Sequence, residues 1–190
     1  MKIAGLETPV IRQGYIGIKK ISPTTTIGLV SCHGTKRTGA RFKSRGIDDN
    51  GNCSNFVKST VILVDNDVTH KWEQLRGSVP CFWSQPGIQM GHHRLKILRS
   101  KEVTLGITRN HFRSLHPTAE IEVVNLLSKK TDKDEYRLAK AFKDVCPVKI
   151  TDFDYHAIFK NSNGMSQLTS FLATMMHNEK RKYSTNNRQI

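Results

Sequence analysis

Between positions 15 and 31 two short runs, YIGIKKI and TTTIGLVS, are rich in β-formers and flank Ser22-Pro23. β-prone runs joined by a Ser-Pro break predict a hairpin or a pair of sheet strands. VKSTVILV at 57–64 predicts a further strand. In WEQLRGSVPCFW, residues 72–83, the β-formers are interrupted by Gly77 and Pro80, which predicts a strand broken at a bulge or tight bend. Arg94, Leu95, Lys96 and Ile97 alternate basic with apolar. A strand there would carry a cationic face and an apolar one.

The second half changes period. IEVVNLL at 121–127 predicts a compact buried strand, whereas Leu138, Phe142 and Val145 fall on one helical stripe. Asp132 with Glu135 three residues on predicts a capping box for that helix. KITDFDYHA predicts the next strand. Leu168, Phe171, Leu172, Met175 and Met176 then predict an amphipathic helix that closes on Lys180, Arg181 and Lys182, a favourable charge at its C-terminal end. Strand, helix, strand, helix predicts an α/β fold, a mixed sheet with flanking helices.

Composition adds a bound. The 190 residues are 37% hydrophobic and 24% charged, which suits a folded chain with a core. Thirty Lys and Arg against sixteen Asp and Glu give a formal charge of +14, a field that attracts phosphates, anionic headgroups or nucleic acid. Aromatic residues are only 7% and are not interleaved with the basic clusters as stacking platforms would be, so nucleic acid ranks behind the others. Cys32, Cys53, Cys81 and Cys146 form no C-x-x-C pair, which points to reduced thiols rather than a zinc or redox site. His92, His93, His111 and His116 lack a metal-ligand spacing. The chain shows no apolar run long enough for a signal peptide or a membrane span, so the expectation is a soluble, intracellular chain.

Three stretches carry a resemblance: RTGARFKSRGIDDNGNCSNF at 37–56, QLRGSVPCFWSQPGIQMGHHR at 74–94, and HFRSLHPTAEIEVVNLL with the later AKAFKD and FDYH, the last at 153–156. In this order they resemble the Sac-type phosphoinositide phosphatase family, and the Trp-x-Gln-Pro-Gly element at 83–87 is most similar to its synaptojanin branch. The resemblance implies a partial Sac-type domain: residues 1–30 as the end of an N-terminal subdomain or its junction, 31–183 as the first part of the catalytic domain, and 184–190 as a disordered tail. It further implies a metal-independent phosphatase, with no cofactor, acting on phosphoinositide headgroups at anionic membrane surfaces through a phosphocysteine in a Cys-x5-Arg loop. That spacing lets backbone N–H groups ring the phosphate while the Arg forks onto it and the cysteine stays a thiolate.

None of the four cysteines has an Arg at the sixth position after it; Cys32 has Arg37 at the fifth. In the family that loop follows FDYH by some tens of residues, so no catalytic residue is assigned, and the chain alone is expected to be inactive. The alternative is a non-catalytic module that binds anionic lipid. Where the family usually reads Glu-Thr-Glu after Asn-Phe, this chain has Val57, Lys58, Ser59 and Thr60. The candidate substrate contacts are Arg41, Arg45 and Arg76, since guanidinium pairs bidentately with phosphate. For Arg41 and Arg45 the competing reading is a pairing with Asp48 or Asp49 that pins a turn. Arg76 is expected to be half-buried and to hydrogen-bond within the fold. Asp154 and His156 would alternate on a strand, a poor acid/base pair without a nucleophile beside them.

Overall fold

The computed structural model describes residues 13–39, 43–66, 68–85, 95–115 and 121–186, with side chains as far as Met175. It falls into two compact units, residues 1–120 with 141–147, and residues 121–140 with 148–190.

In the first unit β1 (Gly14–Lys20), β2 (Thr25–His33), β3 (Val57–Asp65) and β4 (Val68–Arg76) form one antiparallel sheet in the order β1-β2-β3-β4. The expected hairpin is there. Its turn is closed by the amides of Ile21 and Ser22 donating to the Thr25 carbonyl, at 2.9 and 3.2 Å, and by Ser22 Oγ accepting from the Thr25 amide at 3.0 Å. β2 pairs along its whole length with β3, from Thr25 opposite Asp65 to His33 opposite Val57. The chain between them, residues 34–56, therefore leaves and re-enters the sheet at one place. Strand β4 ends at Arg76, before Gly77, and a two-residue strand β5 (Trp83–Ser84) follows, in line with the expected break.

Residues 95–98 depart from the expected two-faced strand, and Arg94 lies outside the described residues. Strand β6 is only Lys96–Ile97, paired with β5, and while Leu95 is buried, Ile97 and Leu98 are exposed. A helix that the apolar pattern does not announce, α1 (Lys101–Leu115), takes over directly. Its buried side is Thr104, Thr108, His111 and Phe112. A stripe that is half polar carries little hydrophobic signal, and it is tolerable only because each polar group is satisfied. Thr104 Oγ1 donates to the Ser100 carbonyl at 2.8 Å and Thr108 Oγ1 to that of Pro80 at 2.7 Å. Ile47, Cys53 and Phe82, with Phe56 and Ile107 packed on them, make the core cluster of this unit.

The second unit is built on β7 (Val123–Asn125) and β8 (Ile150–Asp152), two parallel strands with α2 (Asp134–Lys143) between them in the chain. The expected capping box is not formed. The helix begins at Asp134, and Glu135 Oε2 instead accepts the Ser128 amide at 3.0 Å, tying the loop after β7. The strand expected across FDYHA stops at Asp152, and a one-turn helix α3 (Tyr155–Ile158) follows. The long helix α4 (Gly164–Asn186) carries the expected stripe, with Leu168, Phe171 and Met175 half-buried and Leu172 exposed. Phe171 meets the buried Phe153 with ring centroids 4.6 Å apart. The side chains of Met176 and of Lys180, Arg181 and Lys182 lie outside the described set, as do residues 187–190 of the expected tail.

Candidate functional site

The segment with the densest basic sequence folds into a loop held from inside. Asp48 starts a tight turn: its Oδ1 accepts the amides of Asn50 and Asn52 at 3.0 and 2.8 Å. Partial burial works to raise its carboxyl, but these amides and the Asn52 side chain outweigh burial and hold it below the usual range. Gly46 and Gly51 take φ of +69° and +78°, and Asn55 takes +55°, conformations that suit Gly and Asn. Ile47 and Cys53 close the loop as an isolated bridge, and both are buried.

Arg37 is the brace. Its Nε donates to Ser54 Oγ at 2.6 Å, a terminal nitrogen donates to the Arg45 carbonyl at 3.0 Å, and the other lies 3.9 Å from Asp48. The turn-pinning arginine is thus Arg37, one that the sequence reading passed over, and not Arg45. Asp49 is taken by Arg99, bidentate at 2.6 and 3.1 Å, whose guanidinium also lies 4.4 Å from the centre of the Phe82 ring. Arg45, half-buried, lies 5.4 Å over the Trp83 ring and donates to Gln85 Oε1 at 3.3 Å. Arg41 falls outside the described residues.

The loop and the segment after β4 are stitched together by backbone. Gly46 N–H donates to Ser78 Oγ at 2.8 Å, Ser54 N–H to the Gly46 carbonyl at 2.9 Å, Ser78 N–H to the Ser54 carbonyl at 2.9 Å, and Ile47 N–H to the Cys81 carbonyl at 3.0 Å. This brings Arg45 and Arg76 into one neighbourhood, two residues from its shared hydrogen bonds at most. Arg76, however, is exposed at the end of β4 rather than half-buried. Lys58 lies on β3 with its ammonium 2.8 Å from Glu73 of β4.

Beneath the loop His111 of α1 is buried, with Nδ1 2.8 Å from the Gly51 carbonyl and Nε2 3.5 Å from Cys53 Sγ. A carbonyl can only accept, so Nδ1 carries the proton and Nε2 is left as acceptor for the thiol. Burial pushes the His111 pKa down, although the Gly51 carbonyl pulls the other way. Burial, with Cys81 nearby, pushes the Cys53 thiol up to about 12, and burial pushes Cys81 to about 12 as well. Both are neutral thiols at physiological pH, and none of the four cysteines is in a disulfide. Sequence reasoning weighed His111 only as a metal ligand; its place below a Gly51 with positive φ has no signature in spacing.

The FDYH element lies in the second unit. Asp154 is not on a strand with His156 but caps α3, accepting the amides of Lys129 at 2.8 Å and Ala157 at 2.9 Å. Those amides, Lys129 first, hold its carboxyl below the ordinary value. His156 is exposed in α3. An acid/base pairing of the two has no geometric basis here.

A family model described as the SacI homology domain matches residues 4–160. The chain belongs to this family. Among proteins related to this SacI homology chain, human synaptojanin-1 is 36% identical over 140 residues, covering 70% of the chain but 9% of the human protein. Synaptojanin of Caenorhabditis elegans is 37% identical over 160 residues, 80% of the chain and 14% of that protein. An inositol-1,4,5-trisphosphate 5-phosphatase 1 of Schizosaccharomyces pombe is 37% identical over 142 residues, 70% and 13%. The chain thus spans a small fraction of the relatives it matches. Among the described residues no helix is long and apolar enough to cross a membrane.

Proposed function

We propose that this chain supplies scaffold and a headgroup-facing cationic surface to a phosphoinositide phosphatase of the synaptojanin kind, peripheral to cytoplasmic membranes, and that residues 1–190 by themselves do not cleave phosphate. The observation that carries the second half is the state of the thiols. No cysteine has an Arg six positions on, and the two buried ones, Cys53 and Cys81, are held neutral by burial. Attack on phosphorus needs a thiolate beside a phosphate cradle.

The first half rests on family membership, on the charge of +14, and on a loop whose internal bracing lets surrounding cations face outward without collapsing onto its own carboxylates. In this reading Asp48 and Asp49 are committed to Arg37 and Arg99. Arg76 is the exposed guanidinium next to the stitched loop, and we assign it to the headgroup. Arg41, which lies outside the described residues, is assigned to the headgroup from its place in the sequence alone. Arg45, stacked on Trp83, is assigned to setting the loop's edge, with its remaining exposed surface turned to the anion.

The test uses purified chain with phosphatidylcholine vesicles, with and without a phosphoinositide. Expected are no phosphate release and preferential retention on phosphoinositide vesicles, weakened about three- to tenfold by Arg76→Ala, as for loss of one charge-assisted contact. Phosphate release by the chain would overturn the inactive reading. Equal retention on both kinds of vesicle would overturn the headgroup reading.

A further inference from the structure

The two edges of the four-stranded sheet differ in chemistry. The β4 edge carries His70, Lys71, Glu73 and Arg76, with Glu73 held by Lys58 at 2.8 Å and Lys71 at 3.5 Å. Charges of this kind keep an edge from pairing with other chains. The β1 edge is charged only at one end, by Lys19 and Lys20, and is apolar before them. Tyr15, Ile16 and Ile18 are 61%, 73% and 77% exposed, and among the described residues β1 pairs with β2 alone.

The direction of its unused backbone groups follows from the turn. The Gln13 carbonyl accepts from His33 N–H and Ile21 N–H donates to the Thr25 carbonyl, each at 2.9 Å. Hydrogen-bonded pairs recur every second residue in an antiparallel ladder, so Tyr15, Gly17 and Lys19 also face β2. The N–H and C=O groups of Gly14, Ile16, Ile18 and Lys20 therefore point outward, a regular row of donors and acceptors.

We propose that β1 pairs with β1 of a second copy of this chain, antiparallel about a two-fold axis at Gly17, to make one continuous sheet across two protomers. Charge and register select this occupant. Antiparallel about Gly17, Ile16 lies opposite the partner's Ile18, Tyr15 opposite the partner's Lys19, and Gly14 opposite the partner's Lys20. All four outward residues then form hydrogen-bonded pairs, the isoleucines of both copies join on one face, and no lysine meets a lysine. A parallel alignment in register would stack Lys19 on Lys19 and Lys20 on Lys20. An isologous contact of this kind closes on itself. Because each copy carries +14, its strength should rise with salt as long-range repulsion is screened.

Sedimentation of the full 190-residue chain over a wide concentration range, at low and high salt, tests this. A monomer–dimer equilibrium that tightens with salt is expected. Ile16→Pro removes an outward N–H and leaves the β1–β2 ladder intact, as proline is tolerated on a free edge. It should weaken the dimer about thirtyfold, from the loss of two symmetry-related bonds and an isoleucine contact. Ile16→Lys should act in the same direction if the proline variant fails to fold by circular dichroism. Gly17→Cys, oxidised in air, should give a dimer whose cross-linked peptide joins residue 17 to residue 17. A chain that stays monomeric, a dimer unaffected by both Ile16 variants or dispersed by salt, a cross-link elsewhere, or a dimer that forms only once residues 1–12 are removed would each overturn the proposal. The last outcome would assign the edge to the chain's own first residues.

Discussion

The first unit holds two regions of opposite character. The ribbon β1–β4 has long strands in full register, yet Val57 is its one buried residue. The loop from Ser44 to Phe56 has almost no regular structure, yet Gly46, Ile47, Gly51, Cys53 and Ser54 are all buried in it. Regular hydrogen bonding and core formation are thus separated along the chain. Backbone pairing satisfies polar groups wherever it occurs, but stabilisation by burial goes to whichever residues leave water. The loop and its neighbours Phe82 and His111 do that, and the ribbon does so only in its middle strands. Substitutions should therefore be felt in the loop far more than in the ribbon.

The largest effect is expected at Gly46. Its φ is +69°, and a Cβ there would run into the Cys81 carbonyl oxygen and press on Trp83. Backbone atoms on both sides are fixed by hydrogen bonds, so neither can give. Gly46→Ala should cost about 3–5 kcal/mol, combining left-handed strain with a steric clash. In the ribbon Gly28→Ala meets only ordinary contacts, the nearest Ile62 O at 3.8 Å. It should change stability by less than about 0.5 kcal/mol. Urea denaturation of both variants measures the contrast, and equal losses would break it.

His111 comes next. Removing the ring leaves the Gly51 carbonyl without its donor and a hole beside Phe112 and Phe56, which pack edge-on to the imidazole at 5.5 and 6.2 Å. His111→Ala should cost about 2–4 kcal/mol. The native ring also predicts a pH dependence. Above the ordinary value of 6.5 it is neutral folded and unfolded, so its full contribution is present. As pH falls below 6.5 the unfolded chain takes up a proton that the buried ring resists, and stability drops until the depressed folded pKa is reached. Denaturation midpoints between pH 7.5 and 5 should fall more steeply in the native chain than in His111→Ala, and parallel profiles would remove His111 as the cause.

The same contrast governs what the sequence makes legible. Strands β1 to β3 follow from β-rich runs and a Ser-Pro turn, and α4 from Leu168, Phe171 and Met175, because those elements place apolar residues at the period of their backbone. Helix α1 does not, since its buried stripe is led by Thr104, Thr108 and His111, whose burial is licensed by a carbonyl one turn back at Ser100 and by acceptors at Pro80 and Gly51 that are distant in the chain. Asp154 was legible as a member of a matched element but not as a cap, because a strand can be extended on paper through any β-prone residue. In the basic loop the sequence marks arginines and aspartates as partners but cannot match them. Arg37 and Arg99 hold Asp48 and Asp49, while Arg45 goes to Trp83 and Gln85.

The smallest effect separates distance from strength in ion pairs. Lys58 and Glu73 approach to 2.8 Å, closer than Arg37 and Asp48 at 3.9 Å, so distance alone ranks the ribbon pair first. Surroundings reverse that order. Glu73, hydrogen-bonded first by Lys58 and then by Lys71, is held below its ordinary pKa, but both lysines are half or more exposed and solvent screens the attraction. Asp48 instead accepts two backbone amides that organise the turn, and its loss leaves those donors to find water inside a packed loop. Glu73→Gln should leave the denaturation midpoint where it is, at low salt as well as high, while Asp48→Ala should lower stability by about 1–2 kcal/mol. If Glu73→Gln shifted the midpoint as far as Asp48→Ala, the ribbon would be drawing stability from its surface charges, and the separation between pairing and burial would fail at its most exposed strand.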